Sequence, residues 1–394
     1  MGRNGAGVAN KTAIEVDIEQ LYPLLSDARR HRVNIRLCRE FVAVSDSMRI
    51  KLPEVILSTQ RLAFKVALRH SIRVLTIFFF LWLNRGNLYA ADKIVADFGG
   101  LGAFQSTSWV AKDLKIFDKY GLDVDLVMIT GGARSVAALL SGSTQFSTGS
   151  ATTPILASAR SSEVAIIAAA YNHFPFSFVS KPEIKSPKEL RGKKLAILNF
   201  GGSHDLAYQL AFREWGLKRQ EVNIIPLGDQ PTRLAALLTG NVDATIMSMP
   251  HLMMAVKAGY RVLGDMGEMR VNFSQSTAYL RRGYLRDNRD IAKRFVKAYS
   301  EAAYVLRTDR QRSLTVMAKR LRIENQEILN ATYEDAARRF TFPPRVNMAG
   351  MKDTLDFFGE KNPELKGRRP EEFVDETLLD ELEKEGFFKG LAKH

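Results

Sequence analysis

The residue types that ordinarily carry covalent or metal chemistry are scarce in this chain of 394 residues. Its one cysteine, Cys38, stands near the front, so beyond residue 91 there is no thiolate nucleophile, disulfide or Cys-based metal site to build. The later histidines, His173, His204, His251 and His394, have no HxH or HxxH partner, and no metal is expected. GxSxG and GxxxxGK[ST] are both missing. STGSA (147–151) offers a serine without a recognisable base. No catalytic residue and no cofactor are therefore assigned. What remains is the chemistry of main-chain N–H groups in five small, polar segments: GGLGAFQSTS (99–108), TGGARS (130–135), STGSATTP (147–154), NFGGSHD (199–205) and MSMPH (247–251). Each stands where an apolar run gives way to a helical pattern. The unpaired N–H groups of a helix's first turn suit an anion, or several hydroxyl or carbonyl acceptors. The expected ligand contacts are Gln105, Ser106, Thr107, Gly131, Gly132, Ser150, Thr152, Gly201, Gly202, Ser203 and His204, with Met249 and Pro250 at the rim.

The elements that must position these loops are written twice. AALLSG (137–142) returns as AALLTG (235–240), 98 positions later, and the likeness extends both ways. KIVADFGG (93–100) answers KKLAILNFGG (193–202), and YGLDVDLVMITGG (120–132) answers WGLKRQEVNIIPLGDQ (215–230). Downstream, STQFSTGSATTPILASA (143–159) answers NVDATIMSMPHLMMAVKAG (241–259), with Pro154 and Pro250 each in a helix's first turn. Strands separated by helices make parallel sheets through crossovers, and a repeat of this length is too long for a solenoid. Two α/β lobes follow, facing each other across a cleft at the carboxyl ends of their strands. Ser203 is expected to cap the helix that follows it. NFSQSTAYLRRGYL (272–285) reads as a returning strand. In the next segment Ile291, Phe295, Ala298, Ala302 and Val305 recur at helix spacing, and the rest, through TFPPRVN (341–347) to an acidic amphipathic tail, reads as helices buttressing the first lobe.

The formal charge of +14 would ordinarily suggest nucleic acid, but half of it lies at the front. Residues 1–91 carry 14 Lys and Arg against 7 Asp and Glu, and no later stretch interleaves basic residues with aromatics, so a nucleic-acid partner is not expected. Within that front segment a basic flank (Lys65, Arg69, His70, Arg73) precedes the apolar run VLTIFFFLWL (74–83), and small residues follow at Ala90 and Ala91. This is the layout of a secretory signal peptide, with cleavage expected near Ala90 or Ala91 and export of the remainder. The run is short for a membrane span, so an N-terminal tether is the lesser alternative. Met48 is a plausible alternative start.

Four segments resemble the substrate-binding proteins of ABC transporters for nitrate, sulfonates, taurine and thiamine-pyrimidine precursors: KDLKIFDKYGLDVDLV (112–127), GGARSVAALLSGSTQFSTGSA (131–151), IKSPKELRGKKLAI (184–197) and LLTGNVDATIMSMPH (237–251). The resemblance implies an α/β, two-lobed type II periplasmic binding protein fold, with parallel-dominated sheets and a ligand cleft between the lobes. Lobe 1 would comprise residues 92–179 plus 273–394, lobe 2 residues 180–272, and residues 1–91 a leader. A small-molecule ligand and an ABC permease are the implied partners of a monomer, with two connecting segments acting as a hinge. Thiamine-pyrimidine synthases resemble the same family, and an enzyme of that kind is the alternative. Family members often bring a cationic or aromatic side chain to the anion; here Arg134 and His204 are the evident candidates.

Overall fold

The computed structural model describes residues 91–161, 163–269 and 272–393; the signal-like segment, Cys38 and His394 lie outside them. Among the described residues, ten strands form two five-stranded sheets. The first contains β1 (Asp92–Phe98), β2 (Leu122–Met128), β3 (Phe146–Gly149) and β4 (Val164–Tyr171). The second contains β5 (Ser177–Ser180), β6 (Lys194–Ile197), β7 (Asn223–Pro226), β8 (Ala244–Met247) and β9 (Arg261–Asp265). The chain then returns to the first sheet as β10 (Ser276–Arg281). The strand orders are β2-β1-β3-β10-β4 and β7-β6-β8-β5-β9, so the sequence repeat maps onto one sheet pattern used twice.

The sheets are mixed rather than parallel-dominated. β1 pairs in parallel with β2 and β3, and β6 with β7 and β8, but β10 and β5 are antiparallel to both of their neighbours. The cause is the route of the chain. β5 and β10 are the strands that arrive directly from the other lobe, without a crossover helix to turn them round. The expected boundary at 179/180 falls inside β5, whose pairing with β8 begins at Ser177.

The two connecting segments are joined to each other. Ser274 donates a hydrogen bond to Asn172 Oδ1 at 2.6 Å, and the rings of Phe174 and Phe273 stack at 3.9 Å. Asn172 Nδ2 also donates to the Arg345 carbonyl at 2.7 Å.

Helices follow strands as the apolar spacing requires: α1 (Ser106–Asp113), α2 (Gly132–Ser141), α3 (Thr152–Ser161), α4 (Ser203–Trp215), α5 (Gln230–Leu238) and α6 (His251–Lys257). In the twin AALL helices, Leu139 and Leu237 are fully buried, each against its own lobe, and α2 ends at Gly142 in the left-handed conformation that favours glycine. The segment at 186–191 is a single 3-10 turn, Pro187–Leu190.

Beyond β10, α7 (Arg289–Thr308) buries Phe295, Ala298, Ala302 and Val305 and leaves Ile291 half-buried. Phe295 stacks on Phe146 of β3 at 3.9 Å, which fixes this helix to the first sheet. The tail covers the edge of β4: Ile166 N donates to Phe373 O and Ala169 N to Pro344 O. Pairing satisfies main-chain groups that an open edge would leave exposed.

Candidate functional site

Residues from both lobes wall a cavity of about 90 Å3. That is several times the roughly 10–15 Å3 that one water needs, so the space suits a small solute. The first lobe contributes the turns after β1 and β2, the end of β3 and the start of α3; the second contributes the turns after β6 and β7. Phe176 and Gln275, from the connecting segments, complete the wall.

Eight of the expected contacts line this cavity: Gln105, Gly131, Gly132, Ser150, Thr152, Gly202, Ser203 and His204. Local chemistry explains several. Gly131 has φ of 97°, the left-handed side that favours glycine. A Cβ on Gly132 would lie 2.4 Å from Thr153 Oγ1, so only a glycine lets α2 start against α3. The Ser150 hydroxyl accepts from Thr152 N at 3.2 Å and pairs with Thr152 Oγ1 at 2.9 Å, closing the turn into α3. Ser203 is the first residue of α4 and Gly202 is its N-cap, with no side-chain cap; the expected serine cap is not formed.

Five expected contacts lie elsewhere. Ser106 and Thr107, in the first turn of α1, are fully buried inside the first lobe. Gly201 is exposed with φ of 73° and shapes the turn, its N–H donating to Asp205 Oδ2 at 3.0 Å. Met249 and Pro250 precede α6 outside the lining; the Met249 carbonyl accepts from Ala103 N at 3.4 Å, a bond between lobes. Arg134 is exposed and outside the lining.

The structure adds residues that the loop pattern does not reveal. Gln230 is nearly buried at the start of α5. Its Nε2 donates to the Leu101 carbonyl across the cleft at 2.9 Å and to Ser248 Oγ at 2.9 Å, while its Oε1 accepts from Ser248 N at 2.7 Å. Asp229, the N-cap of α5, accepts from Thr232 N at 3.0 Å. Arg233, one turn on, lines the cavity and is wholly buried. Beneath the first-lobe wall lies Asp97, also wholly buried, which accepts from Ser135 Oγ at 2.7 Å and Ser147 Oγ at 2.5 Å. Burial pushes its carboxyl up to about 6 against the pull of these hydroxyls. Above pH 6 the carboxylate holds the Ser135 hydroxyl proton, so Tyr279, 3.0 Å from Ser135 Oγ, is the donor of that pair.

His204 packs on Phe176 at 4.4 Å between ring centres. Burial, and then the Arg233 charge, hold it well below the ordinary histidine range, so it is neutral at pH 7. Burial likewise lowers His251 to about 4. Among the described residues no three His, Cys, Asp or Glu are grouped to hold a metal ion, and no helix is long and apolar enough to cross a membrane.

Comparison with known proteins places this geometry. A "Putative binding protein" of Brucella abortus (strain 2308) is 26% identical over 292 residues, 69% of this chain and 89% of the relative. A "Putative aliphatic sulfonates-binding protein" of Escherichia coli (strain K12) is 30% identical over 180 residues, 45% of this chain and 54% of the relative. The crystal structure of the periplasmic aliphatic sulphonate binding protein SsuA from Escherichia coli superposes with a TM-score of 0.59 at 21% identity, covering 72% of this chain and 92% of that one. It shares the two-lobed α/β fold. The family model described as NMT1/THI5 like matches residues 106–311, and the chain belongs to that family.

Proposed function

We propose that the protein is an exported solute receptor that binds a small polar or anionic molecule between its lobes and delivers it to an ABC permease. The observation that carries this reading is the cavity itself: both lobes wall it, and Gln230 already bridges them to Leu101. A ligand that touches both walls binds the closed form better than the open one, and only such a difference drives closure. The relatives named as binding proteins support the solute-binding role, and the names of the Escherichia coli proteins support a sulfonate-like ligand. In this reading residues 1–91 are a leader, removed near Ala90 or Ala91 on export to the periplasm. Lobe 1 is 92–176 plus 273–394 and lobe 2 is 177–272, the expected boundary moved so that β5 stays whole, and the mature protein is a monomer that does not bind nucleic acid.

A receptor rather than an enzyme is favoured by the side chains at the wall. Of the two serines in STGSA, Ser150 bonds Thr152 and Ser147 donates to Asp97, neither to an imidazole. A thermal-shift screen of sulfonates, carboxylates, nitrate and pyrimidines, followed by calorimetry and product analysis, tests the proposal. Stoichiometric, reversible binding is expected; turnover of any of these solutes would replace the receptor with a catalyst. N-terminal sequencing of the exported protein tests the leader, with a mature chain beginning near Ala91 or Asp92 expected and a cytosolic chain beginning at Met1 or Met48 contradicting it.

A further inference from the structure

Arg233 braces the second lobe with part of its guanidinium. Nε donates to the Gly228 carbonyl at 3.0 Å, and Nη1 donates to Thr245 Oγ1 at 3.3 Å and to the Ile246 carbonyl. All three acceptors are neutral. Nη2, which carries two N–H groups, is buried and has no hydrogen-bond partner among the described residues. Asp229 attracts the guanidinium only through space, and one of its carboxylate oxygens is engaged by the N-terminus of α5. Burial lowers Arg233 to about 10, which still leaves it charged at pH 7. A buried cation with open donors and no direct carboxylate partner is unfavourable until an anion completes it.

We propose that the Nη2 edge of Arg233 is the anion-holding group of the cavity, and that the ligand presents to it the carboxylate or sulfonate head of a small organic anion. The two open N–H groups of Nη2 diverge from one nitrogen, so they offer a charge-assisted hydrogen bond to one oxygen of such a head and a second to another acceptor beside it. Phe104, Phe176 and Leu198 line the same cavity, and apolar wall suits an organic remainder rather than a bare inorganic anion. His204, neutral and with Nδ1 unpartnered, is available for one further polar contact. Among the described lining residues Arg233 is the one cation and Asp229, held by Thr232 N, the one carboxylate, so lobe 2 supplies the charge. This inference rests on the solute-receptor reading and narrows its ligand.

The test is calorimetric titration of the full chain with two isosteric pairs, butanesulfonate against butanesulfonamide and pentanoate against pentanamide. In each pair the anion differs from its neutral partner mainly in charge, and the two arms separate a sulfonate head from a carboxylate head. The wild type is expected to bind the anion of at least one pair about tenfold or more tightly than its neutral partner, as charge-assisted hydrogen bonds require. Arg233→Gln should erase that preference, and Arg233→Lys, which keeps the charge but not the placement of Nη2, should retain only part of it. Circular dichroism establishes that each variant is folded. If Arg233→Gln does not fold, folded Arg233→Lys decides, an undiminished preference there overturning the role of Nη2. Equal or tighter binding of the neutral partners by the wild type, or an undiminished preference in folded Arg233→Gln, would overturn the role of Arg233 and leave the receptor standing. Absence of binding by these four solutes and by the whole screening panel would overturn the receptor reading and this inference with it.

Discussion

Replacing Asp97 by Asn should change how stability responds to pH in a calculable way. Asp97 is wholly buried beneath the cavity wall, and burial raises its carboxyl from 3.8 to about 6. A carboxyl raised on folding binds its proton more tightly in the native state, so its contribution is fully present below pH 3.8 and is lost as pH rises towards 6. The gap is worth about 3 kcal/mol in total at 1.36 kcal/mol per pH unit, and about 2 kcal/mol between pH 4.5 and 7. Asn is nearly isosteric, accepts from one serine hydroxyl and donates to the other, and does not titrate. Urea unfolding of the two proteins at four pH values from 4.5 to 7.5 isolates this group, because every other titration is shared. The wild type should lose about 2 kcal/mol relative to Asp97→Asn over that range. Parallel curves would refute the claim that burial outweighs the two serine hydrogen bonds.

Three further outcomes are expected. Gly350→Ala places a Cβ 2.6 Å from the main-chain N of Phe273 in the second connecting segment and should cost about 1–3 kcal/mol in chemical unfolding. Gly132→Val drives a side chain into Thr153 and should abolish solute binding in calorimetry while circular dichroism still reports a folded chain. Gln230→Leu removes the bond to Leu101 and leaves Ser248 N without its acceptor, so binding should weaken up to about tenfold, about 0.5–1.5 kcal/mol for a lost hydrogen bond, in the same titration.

The repeat was readable because strand and helix periodicities are local, and both copies appear as matching sheets. Strand direction was not readable in the same way. β5 and β10 have ordinary buried-strand sequences, and their antiparallel sense comes from entering one lobe directly from the other. Of the four glycines expected at the site, Gly131, Gly132 and Gly202 line the cavity, while Gly201 only shapes the turn beside it. Ser106 and Thr107 misled because a polar residue at a helix start reads alike whether it turns outward or into the core. Arg233 escaped notice for the converse reason. In QPTRLAALL an arginine reads as a solvated helix face, and only the packed structure reveals that it is buried and meets no carboxylate directly.

The central claim, that the two lobes close on a solute as a hinged pair, is tested most directly by small-angle scattering of the leaderless chain with and without a saturating solute from the thermal-shift screen. Hydrogen-bonded and stacked connecting segments, Asn172 with Ser274 and Phe174 with Phe273, permit bending about one region. The radius of gyration should fall on saturation, with a liganded profile that fits the arrangement in which Gln230 reaches Leu101. A solute that binds tightly and leaves the radius of gyration unchanged would contradict the account.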